Sequence, residues 1–568
     1  RGDSWTRISD DLTRDQERFR LEVMGRTWSY DAPWDTLAMS NYNTITSLAE
    51  SPVEEGLLYA GTDDGLIQVS ENGGERWRRI EVGDLPGVPD TAFVNDIKAD
   101  LFDADTVYVA LDNHKYGDFK PYLLKSTDRG RRWRSIAGDL PDRHLVWRVV
   151  QDHVRPGLMF AATEFGLFVT LDGGGDWAQL KGNAPTISFR DLVIQRREND
   201  LVGASFGRGF WILDDYSALR EIDADTLTAE ATLFDTRDAW WYMQKTPLGN
   251  NDRGSQGHGL YLAENPPFGA VFTYHLSDGY KTLEQQRQER EKPRIRERED
   301  VEFPDWVTIE TEQRQPDPAV LLIVRDADGN VVRRLEGPSA KGMHRVAWDL
   351  RMPSSNAVGA GGGFGPPAGG FMVVPGTYRV ELAKRIDGEV TPLADPREFE
   401  VVRMRTGALD GAEPEATVAF WKRLADLQRR TTAANQIIGE ARERIDAMSD
   451  ALKRSTAPAG ELDSQLYAVS QRLYQIVEQL RGRESMDELS EPQNTIGQRI
   501  FVAQIGTSRS TYGPTPTHEM SLDIAEREFA DVADELNRMM QSRIPALERA
   551  LREAGAPWTP GAPLPAMN

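Results

Sequence analysis

The apolar positions of this chain change period twice, and each period predicts a different kind of element. Through residue 235 they fall in short runs broken by Gly and polar turns. "LLYAGTDDGLIQVSENGGERWRRI" (57–80) reads as an apolar strand of small residues, a Gly turn, a second strand, a polar turn and a polar strand. "LMFAATEFGLFVTLDGGGDWAQL" (158–180) aligns with it with one residue missing. "VYVALDNHKYGDFKPYLLKSTDRGRRW" (107–133) is the same unit with a longer loop, Asn113 to Tyr122, between its inner strands. "LVGASFGRGFWILDD" (201–215) keeps the strand-Gly-strand core only. A recurrence near every 50 residues predicts four-stranded propeller blades.

From Gly269 to Met404 the pattern alternates instead, in six segments: 269–276, 319–326, 330–337, 343–350, 376–383 and 397–404. An Asp-Gly turn in "RDADGNVV" joins two of them, and the whole predicts an immunoglobulin-like β-sandwich. Two insertions interrupt it: the charge-dense 281–305, read as a solvated helix or loop, and the Gly-rich 354–371, read as a flexible flap. The C-terminal third then steps by three and four. Leu424, Leu427, Thr431, Ala434, Ile438, Ala441, Ile445, Met448 and Leu452 form one seam. Leu462 to Leu480 form a second, and Ala525, Phe529, Val532, Leu536, Met540, Ile544, Leu547 and Leu551 a third with one stutter. These seams predict a three-helix antiparallel bundle, with a short first link at Ala457–Gly460, a long second one from Arg481 to Thr517, and Thr517 as an N-cap. Helices from another copy remain an alternative way to close them. The fold class is mainly β with a C-terminal α region, divided as 1–235, 236–405 and 406–568.

A box recurs between the last two strands of three blades: Ser70, Asn72, Gly74 and Trp77; Ser126, Asp128, Gly130 and Trp133; Thr170, Asp172, Gly174 and Trp177. Asp or Asn accepts hydrogen bonds from amides one or two residues on, Gly takes the positive-φ position, and Trp covers the turn. The box is a structural staple on this reading. "RGDSW" carries Gly2 and Trp5 at the same spacing, so the chain is expected to begin inside a box and to lack blades that precede it.

The boxes and the longer units around them resemble the Asp-box propellers of sialidases and sortilin-type receptors, in particular the closing part of large bacterial sortilin-like proteins often labelled glycosyl hydrolases. The resemblance covers residues 1–235 through repeats and the rest through domain order. It implies a secreted, periplasmic or cell-surface protein. It also implies a ligand site in the propeller channel, taking a peptide, protein or glycan.

Charge and composition narrow this further. A net charge of -23 disfavours nucleic acid as a partner. The absence of Cys removes disulfides, thiolate metal sites and Cys nucleophiles. The longest apolar run, Ala319 to Val324, is too short to span a bilayer. The seven His residues show no metal-ligand spacing, and no cofactor is expected. Candidate channel residues are Asp63, Asp64, His114, Tyr116, Asp118, Glu164 and Arg208, with Asp214 and Asp215 beside them. Asp63, Asp64 and Glu164 double as turn formers, whereas His114 and Tyr116 stand in a loop unique to one blade. A sialidase would need Tyr with a Glu partner and three Arg, and only Tyr116 and Arg208 fit. Trp240 and Trp241 are read as interdomain packing rather than as a sugar platform. Noncatalytic recognition and scaffolding is therefore the leading expectation, with a sialidase- or xyloglucanase-type glycoside hydrolase acting through a carboxylate pair as the alternative.

Overall fold

The computed structural model describes residues 3–22, 25–31, 42–244, 263–358, 369–405, 410–458 and 460–562, in two units, Arg1–Thr226 and Leu227–Asn568. The N-terminal unit is a row of antiparallel meanders. The first is β1 (Ile45–Glu50), β2 (Leu58–Thr62), β3 (Leu66–Ser70) and β4 (Arg78–Glu81). The second is β5 (Phe93–Ala99), β6 (Val107–Asn113), β7 (Asp118–Ser126) and β8 (Arg134–Ser135). The third is β9 (Val146–Gln151), β10 (Met159–Thr163), β11 (Gly166–Thr170) and β12 (Ala178–Gln179). The fourth has three strands, β13 (Phe189–Gln195), β14 (Asp200–Ser205) and β15 (Phe210–Leu213), where the sequence has lost its box. Up-and-down sheets packed face to face in series are β-propeller blades.

The blades share one register. Leu48 faces Ala60, Ile97 faces Val109, Val149 faces Ala161 and Leu192 faces Gly203. Between blades the cores are separate clusters, each mixing residues of two neighbouring sheets. The loop expected over Asn113–Tyr122 is shorter than that. Asn113 pairs with Asp118, and only one 3-10 turn, His114–Tyr116, with Gly117 at φ 79°, closes the hairpin. The residues from Asp118 to Tyr122 are extended and simply lengthen β7.

In the C-terminal unit, after the short α1 (Ala224–Thr228), two sheets enclose a common core. One is β16 (Ala231–Leu233), β18 (Ala270–Leu276) and β21 (Gly342–Trp348). The other orders β17 (Ala239–Trp241), β26 (Arg397–Arg403), β24 (Gly376–Ile386), β19 (Ala319–Asp326) and β20 (Val331–Gly337), with β25 (Glu389–Pro392) beside β24. Phe272 of the first sheet meets Phe399 of the second at 5.5 Å, and Trp348 meets Phe399 at 6.2 Å. The short pair β22 (Arg351–Pro353) and β23 (Gly369–Met372) flanks the Gly-rich stretch, of which 359–368 lie outside the described residues. The charged insertion is helical: α2 (Leu283–Arg296) starts at a capping box of Thr282 and Gln285, and α3 (Trp306–Arg314) follows.

The C-terminal helices are α4 (Pro414–Leu452), α5 (Glu461–Arg481), α6 (Glu484–Glu488), α7 (Ile496–Thr507), α8 (Pro516–Arg538) and α9 (Ile544–Glu553). Most predicted seam positions are buried within the chain, among them Leu427, Ile445, Leu473 and Phe529. The chain's own helices therefore occupy these positions rather than those of a second copy. The long link contains α7, whose mixed pattern gave no seam of its own. The N-cap of α8 is Thr515, two residues before the expected Thr517, because Pro516 takes the first helical position. The stutter is a π-turn, Met539–Arg543, just ahead of Pro545. Pro545 has no N–H to give the preceding turn, and the widened turn buries Met539 in place of Met540. The core is continuous: Trp241, fully buried, donates its indole N–H to the Val373 carbonyl at 2.8 Å and lies 6.5 Å from Trp421 of α4.

The boxes are staples, with a correction to their wiring. Thr170 Oγ1 donates to Asp172 Oδ1 at 2.7 Å and accepts from the Gly174 amide at 3.0 Å. Asp172 Oδ1 accepts from the amides of Gly175 and Asp176, three and four residues on rather than one or two. Ser126 with Asp128, and Ser70 with Asn72, repeat the arrangement. Both Gly173 and Gly174 hold positive φ, so the turn swings wide before the acceptor meets its amides. Each box Gly also lies against an Ile of the preceding unit: Gly74 on Ile8, Gly130 on Ile80, Gly174 on Ile136. The bonds to Thr170 and the amides hold the Asp172 carboxyl below the ordinary 3.8. A depressed folded-state value means stability that is full above that range and lost as pH falls through it. Asp172→Asn keeps the acceptor, as Asn72 does, and removes the titration. Urea unfolding between pH 6 and 3 should show a smaller acid-side loss for Asp172→Asn than for the parent.

Candidate functional site

In each meander the turn between second and third strands lies at the end opposite the box, together with the segment that enters the next sheet. This end gathers Asp63, Asp64, His114, Tyr116, Asp118, Glu164 and Arg208. Asp214 and Asp215 do not belong to it. They follow β15, which runs back to the box end, and Asp215 there accepts from the Ser217 hydroxyl at 2.6 Å.

The carboxylates are occupied in building the turns. Asp63 Oδ1 accepts from the Thr44 amide at 2.7 Å, tying the turn to the entry of β1. Asp64 accepts from the Thr62 hydroxyl at 2.5 Å and the Arg14 amide at 2.6 Å. The Arg14 guanidinium donates to the Asp64 and Gly65 carbonyls and pairs with Glu81. Glu164 Oε2 accepts from the Trp147 indole N–H and the Ser188 hydroxyl, each at 3.0 Å. Asp118 is spent on its own hairpin, accepting from the Tyr122 hydroxyl.

Two clusters emerge from this end. In the first, Trp147 is buried with His114 edge-on at 5.7 Å and the Arg190 guanidinium over its ring at 3.6 Å. Arg190 also lies 5.2 Å from the exposed ring of Phe206, and His114 Nδ1 bonds to Asp112. The second cluster joins Phe93 to Tyr42 at 6.4 Å and to the Lys115 ammonium at 4.0 Å. Burial pushes the Tyr42 phenol up to about 12, helped by the charges of Asp64 and Asp63 and by Tyr116. Burial also raises the Asp63 carboxyl, against the bonds from Thr44, with Asp64 adding to the rise and Lys115 opposing it. The sequence candidates thus fall together around Trp147 (His114, Glu164) and around Tyr42 (Asp63, Asp64, Tyr116). Arg208 stands exposed on the β14–β15 turn.

Sequence reasoning passed over Tyr42, Phe93, Lys115, Trp147, Arg190 and Phe206. Each occurs once where the other blades carry something different, so subtracting the shared pattern from the repeats would have marked them. Among the described residues no group of His, Asp and Glu is placed to hold a metal ion, and no helix is long and apolar enough to cross a membrane.

No family model matches the chain, and no curated protein does. Among solved structures it is similar to YCF48 bound to D1 peptide, at 17% identity over 31% of this chain and 52% of that one, with a TM-score of 0.24. YCF48 from Cyanidioschyzon merolae gives 19% identity, 30% and 53% coverage and a TM-score of 0.23. The GH74 xyloglucanase from Xanthomonas campestris gives 14% identity, 62% and 45% coverage and a TM-score of 0.26. The chain spans about half the length of the first two. Likenesses at these TM-scores bear no weight for fold or function.

Glu164→Ala strips a buried indole N–H of its acceptor, at a cost of about 1–3 kcal/mol. Arg208→Ala should stay within about 0.5 kcal/mol of the parent. Urea unfolding of both variants checks the contrast.

Proposed function

We propose that the turn end of the blades is a noncatalytic recognition surface for a peptide, protein or glycan, carried on a sortilin-like Asp-box propeller. An immunoglobulin-like sandwich and a three-helix bundle serve it as scaffold, with domains 1–235, 236–405 and 406–568. One observation carries the reading. The candidate carboxylates Asp63, Asp64, Asp118 and Glu164 are engaged by amides, hydroxyls and an indole, while aromatic and cationic side chains stand exposed beside them: Tyr116, Phe165, Phe206, Lys115, Arg190 and Arg208. Aromatic faces stack on sugar rings or apolar side chains, and Arg and Lys take carbonyl or carboxylate oxygens. A place outside the cytoplasm rests on the resemblance alone.

Glycoside hydrolysis is the second reading, favoured by the raised Asp63 carboxyl beside Asp64, the character of a general acid. The Tyr42 phenol beside them is pushed up to about 12 by burial, the direction opposite to activation as a nucleophile. The test pairs two assays. Xyloglucan and 4-methylumbelliferyl N-acetylneuraminide should release no product. Peptide and glycan arrays should give a signal that Tyr116→Ala or Arg190→Ala weakens about tenfold, the loss of one good contact of roughly 1.4 kcal/mol. Turnover abolished by Asp63→Asn would establish the hydrolase instead, and silence on both arrays would overturn recognition.

A further inference from the structure

The two ends of the blades use their arginines differently. At the box end guanidinium groups meet carboxylates: Arg129 pairs with Glu54 and Asp105, Arg131 with Glu71, and Arg220 with the buried Asp152. At the turn end they meet aromatic rings. Arg143, just ahead of β9, lies 5.7 Å from the ring of Phe119 on β7. Arg190 of β13 lies 3.6 Å over Trp147 of β9 and 5.2 Å from Phe206. Arg208 stands two residues beyond Phe206 on the β14–β15 turn, and all three arginines are exposed. Among the described residues none of these three guanidinium groups forms an ion pair or a hydrogen bond, although the chain holds 90 Asp and Glu against 67 Lys and Arg.

The carboxylates nearby are turned to other donors. Glu164 accepts from the Trp147 indole and the Ser188 hydroxyl, Asp118 from the Tyr122 hydroxyl, and Asp191 from the Arg148 guanidinium. A guanidinium stacked on a ring uses its face and keeps its in-plane N–H donors, the fork that meets a carboxylate through two parallel bonds. Stacking also holds that fork in place beforehand, so less side-chain freedom is lost when a ligand arrives. The pairing of ring and arginine repeats. An arginine entering with one meander reaches a ring of the meander before it between the second and third, and again between the third and fourth. Neither pair lies at an end of the row. Arg143 stands four residues from Trp147, at most about 14 Å along an extended backbone. Exposed rings border the pairs, Phe206 at 71% and Phe165 at 41%.

We infer that the turn end binds an acidic polysaccharide, a chain of uronic-acid units whose carboxylates seat on Arg143, Arg190 and Arg208. This rests on the reading of the turn end as a recognition surface and names the ligand class. A uronic-acid unit carries one carboxylate and one apolar C–H face on a rigid ring, so successive units meet successive pairs of ring and arginine. An acidic peptide holds its carboxylates on flexible stems without such a face, and loses more freedom for the same contacts. The net charge of -23 opposes a polyanion at long range, but at physiological salt screening beyond about 8 Å removes most of that repulsion, and the stacked forks act at contact.

Calorimetric titration at physiological salt with trigalacturonate, its methyl ester and hexaglutamate tests this. Trigalacturonate should bind. The ester, which keeps the sugar rings and removes the charge, should bind at least about tenfold more weakly, and so should hexaglutamate. Arg190→Lys and Arg143→Gln should each weaken trigalacturonate about tenfold with unchanged circular dichroism, the first because an ammonium keeps the charge but loses the fork and the stack. Equal binding of the ester overturns the inference and leaves recognition of neutral glycans standing. Hexaglutamate bound as tightly as trigalacturonate overturns it in favour of an acidic peptide. Full affinity in a folded variant at either position, or no binding of trigalacturonate to the parent, overturns it as well. The reading of this end as a recognition surface falls with it only if the peptide and glycan arrays are also silent.

Discussion

The N-terminal unit depends on one contact repeated: two apolar side chains of a first strand pressed onto a small residue of the sheet before it. Burying each contributes about 1.5–3 kcal/mol, so such a pair is worth roughly 3–6 kcal/mol per junction. A box hydrogen bond adds about 1 kcal/mol. The junctions therefore set the order and spacing of the blades, and the boxes pin each turn to the Ile of its neighbour. Gly61 follows from the same constraint, since a larger side chain there would drive into Val94 and Ile97 of the next first strand, and Ala110 and Ala162 take the equivalent places in the clusters shared with β9 and β13.

The junction geometry also decides what the turn end can present. With the first strands packed against one another, the residues at their starts stand side by side. Trp147 enters with β9 and Arg190 with β13, and this is how residues 43 positions apart come to stack at 3.6 Å. The carboxylates of Asp63 and Glu164 brace the same entries, through Thr44 in one blade and through Trp147 and Ser188 in another. The aromatic and cationic side chains Tyr116, Phe206, Lys115 and Arg190 stand exposed at the same end.

Much of this was legible in the sequence, because local rules acting on repeated units leave local signatures. The Gly turns, boxes, alternating strands and helical seams are each set within a few residues, and they appear where the pattern put them. What escaped depends on distance along the chain. The parallel pairing of Ala239 with Val401 and the bond from Trp241 to the Val373 carbonyl join segments that share no pattern. The site was half visible. Asp63 and Glu164 were marked as turn formers, but their partners Thr44, Trp147 and Ser188 lie at or just ahead of the first strand of a blade, where the repeated unit carries no shared residue to point to them. The π-turn at Met539–Arg543 left its trace as a stutter, which periodicity alone could not convert into the burial of Met539.

The junction account is tested most directly by placing the same side chain at two equivalent positions, one covered by a neighbouring blade and one not. Gly61→Val and Ala204→Val do this, compared by urea unfolding. Gly61→Val should lose at least the roughly 1–3 kcal/mol of an overpacked core, because its side chain enters the space of Val94 and Ile97. Ala204→Val should unfold with the parent. Equal losses at both positions, or none at Gly61, would contradict the claim that blade-to-blade packing governs this fold.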